Sequence, residues 1–330
     1  TGVQTCALPI LKAEERFFGK DPIPIMPSEF LKSPPAEPVE PLDAATVIVV
    51  REERGRPFEV LLMRRHQRQT FMGGAFVFPG GRLDDADMAD DLLPCLDAPP
   101  PGVNVLLQEP SLPVARARGL FVAAVRETFE ESGILLANGR DGLPLDAAGP
   151  AAAVRRSACR GGLRSRSLSL AEIARYEKFH YALDRLTPYS RWITPAVEPR
   201  RFDARFFLAR LPAGQTALQD HSEMTECQWL TPGEALALHG EGMIVLMPPT
   251  LRTVEELVAF ATADALFAAA MHRRIEPVLP EAFAEGDVYG VLLPNDPAYS
   301  LPGRKDPAPG VPSRIVMDGG IWKTRAAPAC

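Results

Sequence analysis

The stretch FVAAVRETFEESGILL, Phe121 to Leu136, constrains this chain more than any other. Read at 3.6 residues per turn, Glu127, Glu130 and Glu131 fall within roughly 100° of one another on a helix. Phe121, Ala124, Val125 and Thr128 take another side, with the apolar spacing that suits burial against a sheet. Gly133 stands where a helix stops, because glycine accepts the left-handed cap conformation. Like charges at helical spacing repel by about a few tenths of a kcal/mol per pair, so a purely structural helix gains nothing from this face. A divalent cation converts the repulsion into ligation, since hard Mg²⁺ and Mn²⁺ prefer carboxylate oxygens. A solvated acidic face is the plain alternative.

Upstream lies FPGGRLDDAD, Phe78 to Asp87, a glycine turn leading into an acidic segment. The two pieces together resemble the signature of the Nudix hydrolases, G-x5-E-x7-R-E-U-x-E-E-x-G-U, where U is bulky and aliphatic. Gly81 takes the first position, and Arg126, Glu127, Glu130, Glu131, Gly133 and Ile134 fill the second half in register. Three departures stand out: Asp87 replaces the first glutamate, Thr128 replaces an aliphatic residue, and the x7 spacer becomes the 38 residues Met88 to Val125. The expanded spacer and the aspartate are similar to the peroxisomal and mitochondrial coenzyme A diphosphatase branch. That likeness continues through FMGGAFVFPGGRLDDAD, RRFDARFFLARLP and the spaced Glu223 and Trp229, covering roughly residues 44 to 260.

A second pattern of coenzyme A-directed Nudix enzymes, LLTxR(S/A)x3Rx3Gx3FPGG, is matched by Leu61, Leu62, Arg65, Gly74 and the block Phe78 to Gly81. Met63, His66 and Thr70 depart from it, and Arg68 is the nearby candidate for the displaced second arginine. A guanidinium here suits coenzyme A, which carries a 3′-phosphate beyond its diphosphate.

The resemblance implies an α/β fold, the Nudix α/β/α sandwich with a mixed β-sheet, followed by a C-terminal α+β extension. It implies residues 44–242 as the Nudix domain, with a loop insertion at about 88–120, and residues 243–330 as the extension. It implies Mg²⁺ or Mn²⁺ held by Glu127, Glu130 and Glu131, with Arg126 bracing them. Glu127, Glu131, Arg126 and Glu223 are then the catalytic set, with Glu127 or Glu223 taking the proton of the attacking water, and Gly80 and Gly81, with Arg65, Arg68 and Gly74, line the substrate side. The implied reaction is hydrolysis of coenzyme A or acyl-coenzyme A to 3′,5′-ADP and a phosphopantetheine. An ADP-ribose or nucleotide-sugar pyrophosphatase shares the same helix, and a non-enzymatic Nudix binding module is expected to lose its carboxylates.

Composition narrows the partners. A net charge of −6 argues against a nucleic-acid surface. No apolar run approaches the ~20 residues of a membrane span. Cys95, Cys159, Cys227 and Cys330 show no C-x-x-C pair, so free thiols in a reducing cytoplasm are the expectation. The partner is a small diphosphate substrate, and the sequence leaves oligomeric state open. The first ten residues, TGVQTCALPI, translate a string similar to a sequencing-library adapter and are set aside as an artefact. Residues 11–43 read as a proline-rich arm.

Short β-branched runs predict strands over Ala44 to Arg51 and Pro57 to Arg65, with Gly55 turning between them. Further strands are expected at Arg201 to Leu211, Glu223 to Leu230, Val288 to Leu293 and Arg314 to Met317. Helices are expected over Leu170 to Leu186, from Pro232, and from a capping box at Thr253 running to about Arg273. The arginines at 155, 156, 160, 164 and 166 form either a basic lip or a solvated helix.

Overall fold

The computed structural model describes residues 38–53, 55–67, 73–97, 102–143, 145, 149–218, 224–286, 288–306 and 310–327. The adapter-like segment, most of the arm, Arg68 and Glu223 lie outside them.

The run LDAATVIVVR forms β1 (Leu42–Arg51), and its side chains alternate between two buried faces. Ala45, Val47 and Val49 join one core, while Ile48 and Val50 join another. A strand buried on both sides must be almost continuously apolar, which is why this run carries so few polar residues. It pairs antiparallel with β2 (Glu59–Arg65). β3 (Phe76–Val77) continues from β2, and β4 (Gly80–Arg82) returns against the start of β1. Two short helical segments follow, Asp85–Met88 and Asp90–Cys95, then α1 (Val103–Leu106) and the long α2 (Val114–Ser132).

After α2 come β5 (Ala137–Gly139), α3 (Pro150–Arg164), α4 (Leu170–Glu177) and β6 (Phe179–Tyr181), with β5 and β6 paired as a small sheet. Three more strands of the main sheet follow: β7 (Thr187–Ile193), β8 (Phe202–Arg210) and β9 (Met224–Leu230). β8 runs parallel to β1 through nine residue pairs, so the sheet is mixed. Beyond lie α5 (Pro232–Gly240), α6 (Pro248–Leu257), α7 (Ala263–Met271) and β10 (Pro277–Val278). A four-stranded antiparallel sheet closes the chain: β11 (Glu281–Glu285), β12 (Val288–Leu292), β13 (Arg314–Asp318) and β14 (Ile321–Arg325).

The layers follow from the alternation. α2 covers one face, where Phe121 meets Phe207 with ring centroids 4.8 Å apart. The other face is covered by Leu251, Val254 and Leu257 of α6, Leu266 of α7, and Ile315 and Trp322 of the last sheet. The C-terminal residues thus share a core with the sandwich. Among the described residues no helix is long and apolar enough to cross a membrane, and Cys95, Cys159 and Cys227 are free thiols.

Two helices differ from the sequence expectation. The one from Leu170 ends at Lys178, whose left-handed backbone (φ 59°) turns the chain into β6. The other begins at Pro248, not Thr253, because proline is pre-set for the first helical position. Thr253 sits inside it with Oγ1 donating to the Pro249 carbonyl at 2.8 Å. That helix stops at Leu257, and a fresh start at Thr262, whose Oγ1 accepts from Ala265 N, opens α7.

An ionic knot fixes the inserted segment. Arg205, 4% exposed, donates to both Glu109 oxygens at 2.9 and 2.8 Å and contacts the Asp43 carboxylate. Arg191 joins Glu109 at 2.7 Å and Asp203 at 2.6 Å, and Arg116 at the start of α2 reaches Asp43. Burial alone disfavours the Arg205 charge, but Glu109, Asp203 and Asp43 outweigh it and hold its pKa above the ordinary value. Removing one member of such a group leaves buried charge uncompensated. Arg205→Ala is therefore expected to lower stability by about 3–5 kcal/mol in urea unfolding, and a loss under about 1 kcal/mol would show the knot to be solvated.

Candidate active site

The glutamate helix α2 is placed by its apolar side. Leu120, Phe121, Ala124, Val125 and Thr128 are all buried, so the opposite side faces the Phe78–Arg82 turn. Gly133, with φ 71°, ends the helix and donates to the Phe129 carbonyl at 2.9 Å.

Arg126 is the centre of the cluster and is 8% exposed. Its Nε and Nη2 grip the Asp87 carboxylate at 2.7 and 2.8 Å. Nη1 donates to Glu127 Oε1 at 2.8 Å and Glu130 Oε2 at 3.0 Å, while Nη2 also reaches the Arg82 carbonyl at 2.9 Å. The two halves of the split motif are thus one ionic cluster in space. Burial opposes the Arg126 charge, yet the Asp87 pair together with Glu127 and Glu130 raises its pKa far above the ordinary value.

The glycines are explained by the same contacts. The Gly80 amide donates to Glu131 Oε2 at 2.9 Å. A Cβ on Gly80 would strike the β1 backbone at Ala45 and Thr46, and one on Gly81 would occupy the Glu127 carboxylate. Arg65 and Gly74 lie one step earlier, where they close the β2–β3 hairpin. Arg65 N donates to the Ala75 carbonyl at 2.9 Å, and Gly74 N (φ 80° at this residue) donates to the Arg65 carbonyl at 3.1 Å. Arg126, Glu127, Glu130, Glu131, Gly80 and Gly81 are brought together; Arg65 and Gly74 belong to the adjoining hairpin.

The acidic face is not the solvated surface that helix spacing alone allows. Glu131 is 5% exposed, and the Glu127 and Glu130 side chains are largely covered. Burial pushes the Glu127 carboxyl up to about 7, with Arg126 pulling it down and Glu130 raising it again. Among the described residues four carboxylates, counting Asp87, gather around the Arg126 guanidinium and the Gly80 amide. Among the described residues no three ligating side chains converge as a ready-made metal cage, because several of these oxygens are directed at Arg126 and Gly80. The donor chemistry, hard carboxylate oxygens, fits Mg²⁺ or Mn²⁺ all the same.

Two residues were not assigned these roles by pattern. Asp87, 1% exposed, fills the position of the signature's first glutamate, and it does so as the bidentate partner of Arg126. Arg160 of α3, 8% exposed, donates from Nε to the Glu130 carbonyl at 2.8 Å and from Nη2 to the Glu131 carbonyl at 2.5 Å. Those carbonyls are among the last four of α2, which have no partner within the helix and carry its negative dipole end. The arginines at 155, 156, 160, 164 and 166 lie close together in the sequence, and no spacing separates Arg160 from the others.

Comparison with known proteins agrees with this geometry. The model of the NUDT19 Nudix domain matches residues 42–257. The acyl-coenzyme A diphosphatase NUDT19 of Homo sapiens is 31% identical over 271 residues, 73% of this chain and 72% of that protein. Its Xenopus laevis counterpart is 28% identical over 274 residues, covering 73% and 71%. A crystal structure of a Nudix hydrolase from Alicyclobacillus acidocaldarius superposes with a TM-score of 0.56 at 26% identity, covering 70% of this chain and 96% of that one. With the split motif closed around Arg126 and more than half of its length matched, the chain belongs to the NUDT19 Nudix domain family and is a Nudix hydrolase.

Proposed function

We propose that this hydrolase cleaves the diphosphate of coenzyme A or an acyl-coenzyme A, releasing 3′,5′-ADP and the corresponding phosphopantetheine, in a Mg²⁺- or Mn²⁺-dependent reaction. The observation that carries the reading is the Arg126-braced carboxylate cluster set against Gly80 and Gly81. The relatives named acyl-coenzyme A diphosphatase direct it to coenzyme A.

Glu127, Glu130 and Glu131 would hold the ion, which would supply positive charge for the diphosphate oxygens and make water more acidic. Arg126 keeps Glu127 and Glu130 on one side of the helix, and the Gly80 amide orients Glu131. The glycines let the turn lie directly against β1 and the Glu127 carboxylate, where any side chain would displace them. In the hydrolysis, water oxygen bonds to one phosphorus as the bridging P–O bond breaks, and a carboxylate, Glu127 or Glu223, takes the water proton.

Glu127→Gln, Glu130→Gln and Glu131→Gln are each expected to cut turnover by roughly 10²-fold or more, with full activity in EDTA as the result that sinks the mechanism. Arg160→Ala is expected to lower kcat and stability together, by about 1.5–3 kcal/mol in unfolding for the lost charged hydrogen bonds. Arg160→Lys should recover part of both. For substrate choice, a guanidinium on the 3′-phosphate contributes about 1.5–3 kcal/mol, or roughly 10- to 100-fold. Coenzyme A is therefore expected to exceed dephospho-coenzyme A and ADP-ribose in kcat/KM by at least about tenfold. Arg65→Ala should narrow that gap while sparing the dephospho form, with Arg68→Ala as the control for a shifted contact. Equal rates on all three substrates would leave a generic diphosphatase.

A further inference from the structure

On the face of the sheet opposite the glutamate helix, a cavity of about 220 Å³ opens between β7, α6 and the C-terminal extension. Its charge is unlike that of the chain. Among the described residues Arg252, Arg273, Arg274 and Lys305 line it against Glu256 and Glu276, in a protein whose net charge is −6. Within the cavity each carboxylate serves two cations. Glu256 meets Arg252 at 3.4 Å and Arg273 at 2.7 Å, and Glu276 meets Arg274 at 2.9 Å and Lys305 at 2.6 Å. Arg252 also reaches Glu255 at 3.4 Å, but Glu255 does not line the space.

Two further features suit an anion. Arg273 is held in place over the Tyr189 ring, 4.4 Å from its centroid, so little side-chain freedom is lost when it binds a ligand. Ser190, which also lines the cavity, has a shielded Oγ with no hydrogen-bond partner among the described residues. A buried hydroxyl left unsatisfied is costly, and a side-chain rotation that brings it to the cavity wall would let it donate to a phosphate oxygen.

We propose that this cavity is a second binding site, separate from the carboxylate cluster, for a compact phosphate-bearing anion. Its volume falls below the roughly 300–1,000 Å³ of sites for drug-sized ligands, so it takes inorganic phosphate or a small phosphomonoester rather than a whole dinucleotide-sized molecule. A bound anion would join α6 and β7 to the segments around Glu276 and Lys305, giving the extension a ligand-dependent hold on the sandwich. The site does not depend on the identity of the diphosphate substrate.

Inorganic phosphate is the probe, titrated in EDTA into the full-length Glu131→Gln protein at constant ionic strength, with binding followed by calorimetry and thermal unfolding. Saturable binding that chloride does not reproduce is expected. In that background Arg274→Gln with Lys305→Gln, both at the exposed rim, should weaken binding by at least about tenfold. Ser190→Ala should also weaken phosphate binding while leaving the phosphate-free melting temperature unchanged or higher, a combination that simple loss of folding cannot give. No saturable binding, or affinities within twofold across all three proteins with native circular dichroism, would overturn the proposal.

Discussion

A guanidinium withdrawn from water is tolerated only when its donors are used, and Arg126 meets that demand with groups from three parts of the chain. Asp87 and the Arg82 carbonyl come from the glycine turn and its continuation, and Glu127 and Glu130 from its own helix. Each partner therefore sits where it does partly because Arg126 is buried. The carboxylates gain fixed positions, and the turn gains an anchor on α2. Gly80 and Gly81 complete the fit, since the helix and β1 approach so closely that a Cβ at either has no room. The geometry of the candidate site is in this sense a by-product of satisfying one buried cation.

The helix itself is anchored from two more directions. Its apolar side is fixed by the β1 and β2 residues of one core, and its C-terminal carbonyls are capped by Arg160. At its other end Arg116 shares Asp43 with Arg205. An element carrying three glutamates on one face gains from such external restraint, because repulsion among them favours fraying. The opposite face of the sheet is free of that duty, and there the extension adds its own apolar residues to the core.

Much of this was legible in the chain because local signals and tertiary demand agree. β1 and β2 carry apolar, β-branched runs that only a buried strand uses, and Gly133 marks the helix end by its backbone requirement. The carboxylate triplet was legible for the same reason: its spacing is a property of the helix alone. What escaped depends on partners distant in sequence. β11 reads EAFAE, a composition with good helix propensity, and becomes a strand because β12 offers it a ladder. Arg160 looks like any surface arginine until α3 lies across the end of α2. Thr253 has the right spacing for a helix cap, but Pro248 and Pro249 start the helix a turn earlier.

The long spacer between Asp87 and Arg126 is the feature that most tests whether the split motif is one site. Closing a loop costs free energy that grows only as the logarithm of its length. Extending the spacer from seven residues to 38 therefore adds roughly 1.5 kcal/mol by that scaling. Breaking a buried ion pair costs about 3–5 kcal/mol, so the Asp87–Arg126 contact can hold the two halves together against the added entropy. The insertion also reduces the cost by folding. Asp85–Met88 and Asp90–Cys95 are helical turns, Gly119 of α2 packs against Met88 and Leu83, and Glu109 ties the far end to Arg205 and Arg191. Such an insertion is not a floppy excursion between two motif fragments. It is a second brace, attached at Asp87 and Glu109, that presses the glycine turn and the glutamate helix into the same place.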